Sequence, residues 1–167
     1  MAYAEDTKVP VERSRAEIEA LLRRYGADSF ASGWTERDAR IQFRAKGRAI
    51  RFVLLMPDPV DKQFTQHPRY SWKSRSADAA RQAYEQEVRR RWRALALVIK
   101  AKLEAVETGI ATFEDEFMPH VIMPDGKTVA EHVQPWIAQA YESRAVGTLP
   151  GVVESGKKDT ACQLYVE

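Results

Sequence analysis

Between Lys62 and Ser76 the chain reads KQFTQHPRYSWKSRS, interleaving Phe64, Tyr70 and Trp72 with Lys62, Arg69, Lys73 and Arg75. Aromatic rings stack on nucleobases and cations meet phosphates, so this mixture suits contact with nucleic acid, single strands in particular. The competing use of the rings is structural, as anchors that tie a long loop to a core. Taken singly, each ring is expected to be an anchor. Taken together with the cations around it, the segment is expected to form a surface for nucleic acid or another polyanion.

Other chemistries find less support. His67, His120 and His132 are isolated, with no two at ligand spacing, so no metal site or other cofactor is expected. There is no G-x-S-x-G motif, and the single cysteine, Cys162, has no evident activating base. The eight glycines are not grouped before a helix as a phosphate-cradling loop requires. Glu114, Asp115 and Glu116 are consecutive, so on a helix they diverge and cannot converge on one cation. A metal-dependent nuclease using them is the least unlikely activity of a chain expected to be non-enzymatic.

Charge is segregated along the chain. Residues 37–102 carry 17 basic and 6 acidic side chains, whereas residues 103–167 carry 4 basic and 11 acidic. Such asymmetry points to a polyanionic partner for the middle third, unless the acidic third folds over it. A lone cysteine excludes an internal disulfide and fits a reducing compartment. The N-terminal MAYAEDTKVPVERSR lacks the apolar core of a secretory signal, and no apolar run approaches a membrane span, so a cytoplasmic protein is expected.

The elements that must position these residues follow from hydrophobic periodicity. Ile18, Leu21, Leu22 and Tyr25 line one face of a helix over 11–25, stopped by Gly26. Ser14 and Glu17 fit a capping box, although the helix could begin a turn earlier, after Pro10. Strands are expected over 28–34, 39–45 and 48–56. Alternation of Ala39, Ile41, Phe43 and Ala45 marks the second, and Lys46-Gly47 the hairpin turn into the third. The outer face of that hairpin would present Arg40, Arg44 and Arg51, and its end around Val53 and Leu55 is expected to be covered on both sides.

Pro57 and Pro59 end the third strand, and residues 58–74 have no period. Connections that long are usually functional or disordered. A long helix runs from Ser76 as N-cap to about Thr108, with Gly109 as its stop. Val88, Trp92, Leu95, Ile99, Leu103 and Val106 form its apolar seam, and Ala94, Val98, Ala101 and Ala105 widen it, so two neighbours are expected to cover it. Arg89, Arg93 and Lys100 fall on the opposite stripe. A short helix over 113–118, a strand over 120–123, a turn at Pro124-Asp125-Gly126 and a helix opened by Thr128 and Glu131 follow. Pro135 is expected to kink that helix or divide it. Beyond Gly147 the chain reads as a flexible tail, with Cys162 to Val166 a candidate edge strand.

The fold class is therefore α+β: a three-stranded antiparallel sheet in α-β-β-β-α order packed on a long helix, with a smaller helical C-terminal part. The expected division is a core over 1–110, a helical extension over 111–146 packed on it, and the tail over 147–167. The order resembles that of double-stranded-RNA-binding domains in order alone, since the 57–75 connection, the long second helix and the start SADAA depart from that pattern. The stretches VERSRAEIEALLRRYGA, GRAIRFVLLMPDP, RRRWRALALVIKAKLEAVETGIATFEDEF and MPDGKTVAEHVQPWIAQAYES, across roughly residues 1–146, resemble a group of uncharacterised proteins of bacteriophages and prophages. That resemblance assigns no activity and no residue roles. It implies a phage setting inside a bacterial cell, with a helper in phage DNA metabolism or an inhibitor of a host defence complex as the roles to weigh. The candidate contact residues for nucleic acid are Arg40, Arg44, Arg51, Arg69, Tyr70, Trp72, Lys73, Arg75, Arg89 and Arg93. An anionic protein surface, a host defence protein and self-association are the other partners to consider.

Overall fold

The computed structural model describes residue 4 and residues 7–70 and 72–143. The chain is α+β. Helix α1 (Val11–Arg24) leads into strands β1 (Ser29–Trp34), β2 (Asp38–Ala45) and β3 (Arg48–Leu55), followed by a single helical turn α2 (Lys62–Thr65). The long helix α3 (Ala77–Glu107), α4 (Phe113–Phe117), a 3-10 turn (Met118–His120) and α5 (Val129–Glu142) complete the order. Two compact units result, 1–132 and 133–167. Among the described residues no helix is long and apolar enough to cross a membrane.

The sheet is antiparallel in the order β1-β2-β3. The pairings Ile41↔Phe52 and Phe43↔Ile50 set a register that sends Ala39, Ile41, Phe43, Ala45, Ile50 and Phe52 to one buried face. Ile18 and Leu22 of α1 and Trp92, Leu95, Ile99 and Leu103 of α3 pack on that face in one core. Phe113 and Phe117 of α4 belong to the same core. Phe117 meets Phe43 and Phe52 edge-on, with ring centroids 6.0 and 6.3 Å apart. The turn at Lys46-Gly47 has positive φ at both residues (48° and 74°), the twist that suits a tight hairpin.

Several local expectations are corrected. Helix α1 starts at Val11 with Pro10 in the N-cap position, so Ser14 lies inside the helix, fully buried, and makes no capping box. Its would-be partner Glu17 reaches Arg93 instead. The end of α1 is as read: Gly26, at φ 83°, follows Tyr25, with Gly26 N–H to Arg23 and Ala27 N–H to Leu22 closing a Schellman motif. Residues 120–123 form no strand. Val121 and Ile122 make isolated bridges to Ile50 and Thr128, because the 3-10 turn leaves too little extended chain for a ladder. Of the kink or division expected at Pro135, the division does not occur: helix α5 runs through it as one element, since proline removes a single ladder bond and the affected turn is exposed. Thr128 and Glu131 do cap each other: each backbone N–H donates to the other's side chain, at 2.5 and 3.3 Å.

Val53 and Leu55 are exposed, so the end of the hairpin is covered on one side only. Of the residues expected to widen the apolar arc of α3, Ala94, Val98 and Ala101 are likewise exposed and Ala105 is half-buried, because α1 and the sheet take only the main seam. The tail and the strand suggested for 162–166 lie outside the described residues.

Candidate nucleic-acid interface

The aperiodic connection after β3 is a built lobe. Asp61 O accepts from the N–H groups of Phe64 and Thr65, which winds the turn α2 and points Phe64 inward. Phe64 is 4% exposed and meets Tyr84 of α3 edge-on at 5.7 Å. Beyond it the chain doubles back on itself. His67 N–H donates to Lys73 O and Arg75 N–H to Thr65 O, both at 2.8 Å, and Gln66 bridges Ser74. Lys73 N–H donates to Tyr70 O at 2.9 Å and closes the tip. His67 Nδ1 accepts from the N–H groups of Arg69 and Tyr70, at 3.2 and 3.3 Å. The result is a short finger, rooted at Phe64 and leading directly into the N-cap of α3, where Ser76 Oγ accepts from Ala79 N–H.

The finger carries its rings outward. Tyr70 is 43% and Trp72 82% exposed. Tyr70 stacks on His67 at 5.3 Å and touches Trp72 at 5.3 Å with a 56° tilt. Of the aromatics in this segment, Phe64 is thus the anchor, while Tyr70 and Trp72 are surface. Arg69 and Lys73 are exposed and Arg75 is half-buried; among the described residues none of the three is in an ion pair.

The other candidate cations are placed differently. Arg40 and Arg44 stand on the outer sheet face but are held by Asp38 and Asp28, each at 3.0 Å. Arg51 is paired with Glu131 at 2.9 Å, and its side chain is only 14% exposed. The Glu131 carboxyl is held below its ordinary pKa chiefly by the Thr128 N–H, then by the Thr128 hydroxyl and Arg51. Arg93 is half-buried against Glu17 of α1. Arg89 is bound to Gln86 at 2.9 Å, with Glu85 3.9 Å away. The stripe expected to carry Arg89, Arg93 and Lys100 is therefore divided, and only Lys100 is exposed. Acidic side chains of the last third do reach the basic middle third, through Arg51–Glu131 and Lys102–Glu116.

Arg89 instead lines a cleft of about 1600 Å³ between the start of α1, the ends of β1 and β3, and α3, together with Trp34, Tyr84 and Trp92. Four basic and four acidic side chains line it, so it offers a polyanion no net attraction. Sequence reasoning missed this cleft. The one available signal was Trp34, an aromatic at a strand end, which is 76% exposed.

The acidic run on α4 is engaged in structure. Thr112 and Asp115 form a capping box, and Glu116 holds Lys102 at 3.0 Å. Among the described residues no group of three or more His, Cys, Asp or Glu is placed to hold a metal ion. Compared with known proteins, the chain matches no family model, no curated protein and no solved structure.

Proposed function

We propose that this chain is a non-enzymatic accessory protein that binds nucleic acid, or another polyanion, through the finger at residues 65–75. The bacterial cytoplasm and a phage or prophage setting are part of the same proposal, and rest on the sequence resemblance. One observation carries the reading: Tyr70 and Trp72 lie exposed between Arg69, Lys73 and Arg75, cations that no acidic side chain neutralises among the described residues. Exposed rings supply stacking, and unpaired cations supply phosphate contacts. Arg40, Arg44, Arg51, Arg89 and Arg93 reach a polyanion only by first giving up acidic partners, so they are secondary contacts here.

The test is a titration of a labelled oligonucleotide across salt. Each phosphate contact on a single strand contributes about −0.7 to the slope of log K against log salt, so three finger cations give a slope near −2. Reversing two of them, as in R69E/K73E, should flatten the slope and weaken binding strongly. Absence of any binding at low salt removes the proposal.

A second reading, a protein-interaction module that blocks a host defence complex, draws support from α5. That helix buries none of its residues and leaves Trp136, Ile137 and Tyr141 exposed. A stoichiometric protein partner that survives nuclease treatment of host lysate distinguishes it from the first.

A further inference from the structure

We infer that the finger selects single-stranded over duplex nucleic acid, with one base stacked on the outer face of Trp72. The inference rests on the polyanion-binding reading above and narrows it to a substrate class.

Ring geometry favours a single strand. Tyr70 and Trp72 are 5.3 Å apart and tilted by 56°, so they already touch and no base fits between them. His67 covers one side of Tyr70. The large open ring surface is that of Trp72, at 82% exposure. A single strand presents base faces to such a ring without penalty. A duplex hides its base faces in the stack and offers only edges in its grooves, so a ring gains a face there only by unstacking a step.

The placement of cations independently favours a single strand. A duplex-reading surface needs cations spread over an area wide enough to follow phosphates across a groove. The wide surface in this fold is the outer sheet face, and its arginines Arg40, Arg44 and Arg51 are held by Asp38, Asp28 and Glu131. Among the described residues, the cations left without acidic partners beside the rings are Arg69, Lys73 and Arg75. They alternate with the rings along one short segment, the pattern that follows a single backbone.

The finger is also pre-ordered. The finger's internal hydrogen bonds hold its backbone on both sides of the tip before any ligand arrives, which lowers the entropy lost on binding.

The experiment titrates the full chain at low salt into single-stranded oligo(dT) and oligo(U) of about 15 nucleotides, a duplex of the same length, and heparin as a polyanion without bases. Both single strands should bind at least about tenfold tighter than the duplex, with quenching of tryptophan fluorescence. A preference for one single strand over the other tells DNA from RNA and supports the inference either way. W72A should weaken single-strand binding by about tenfold and leave heparin binding unchanged, whereas W72F should retain most of the affinity. Trp72 is a surface residue, so the variants should melt with the parent, and the strand preference of the parent is a readout that needs no variant.

Equal or tighter duplex binding overturns the inference and leaves polyanion binding standing. So does single-strand binding that W72A does not weaken, or heparin binding with no preference for nucleic acid. Failure to bind oligonucleotides and heparin alike overturns the proposed function itself.

Discussion

Three aromatic residues within nine positions have two opposite fates, and burial separates them. Phe64 is inserted beside Tyr84 of α3, while Tyr70 and Trp72 are presented to solvent. Nothing in the local sequence distinguishes them, because all three sit among polar neighbours without a period. What decides is the Asp61 turn, which faces Phe64 inward, and the pairing of Thr65–His67 with Lys73–Arg75, which carries the later rings away. The arginines were illegible for a related reason. Their types and counts are in the sequence, but Arg93 meets Glu17 and Arg51 meets Glu131 only once distant segments pack together. These fates predict opposite thermal behaviour. Phe64→Ala opens a cavity at the root of the finger and should cost about 3 kcal/mol, the lower end for a buried phenylalanine. Trp72→Ala should stay within about 0.5 kcal/mol of the parent, as surface changes do. Urea melts of the two variants measure this directly. Equal losses would mean that the finger packs differently from the arrangement described.

Elements were more legible than contacts, because periodicity is a local property. The strict alternation of Ala39 to Ala45 and the i, i+3, i+4 spacing of Ile18 to Tyr25 each survive folding, to within a residue or two at their ends. Failures came where one pattern admits two structures. Ser14-x-x-Glu17 spells a capping box, but Pro10 had already started the helix. Pro135 spells a kink or a division, and of these the division does not occur, since α5 tolerates one missing bond at an exposed turn. The joint between α3 and the end of β3 was invisible altogether. Arg90 and Arg91 both clasp Glu87, at 2.6 and 2.8 Å, and Arg91 also donates to the Leu55 carbonyl. Hydrogen bonds from Arg90 and then Arg91 hold the Glu87 carboxyl below its ordinary value, against an opposing push from burial. With the folded pKa depressed, the unfolded chain binds the proton more readily. The stabilisation is therefore complete above the ordinary glutamate value, about 4.3, and is lost as pH falls through the lower folded value. Melting temperatures of the parent and E87Q should differ at about pH 6, and the gap should narrow as pH falls below the ordinary glutamate value. A gap that stays constant over that range would place the effect of Glu87 in packing and not in its charge.

For the whole molecule, what matters is whether a polyanion responds to the total field or to one place. Net charge is only +2, and the basic middle third is cross-linked to acidic groups at many points, so the long-range field is weak. Among the described residues, exposed cations in no ion pair lie at several places along the chain, and their distance from the finger decides their effect. Lys100 is one of these, and α3 is unbroken from Ala77 to Glu107. At a rise of 1.5 Å per residue, Lys100 lies roughly 35 Å along that helix from the finger's exit. The Debye length at physiological ionic strength is about 8 Å, so a charge at that distance is screened from anything bound at Trp72. Lys100→Glu and Lys73→Glu change net charge identically, yet only the second should weaken oligonucleotide binding at about 0.15 M salt. It should also lower the salt slope by about 0.7, the loss of one phosphate contact on a single strand. At about 0.01 M salt the screening length grows to roughly 30 Å, and Lys100→Glu should begin to register. Anisotropy titrations of both variants at the two salt concentrations read this out. Equal losses at physiological salt would show that the ligand responds to overall charge or occupies another face, and the finger would lose its claim to be the site.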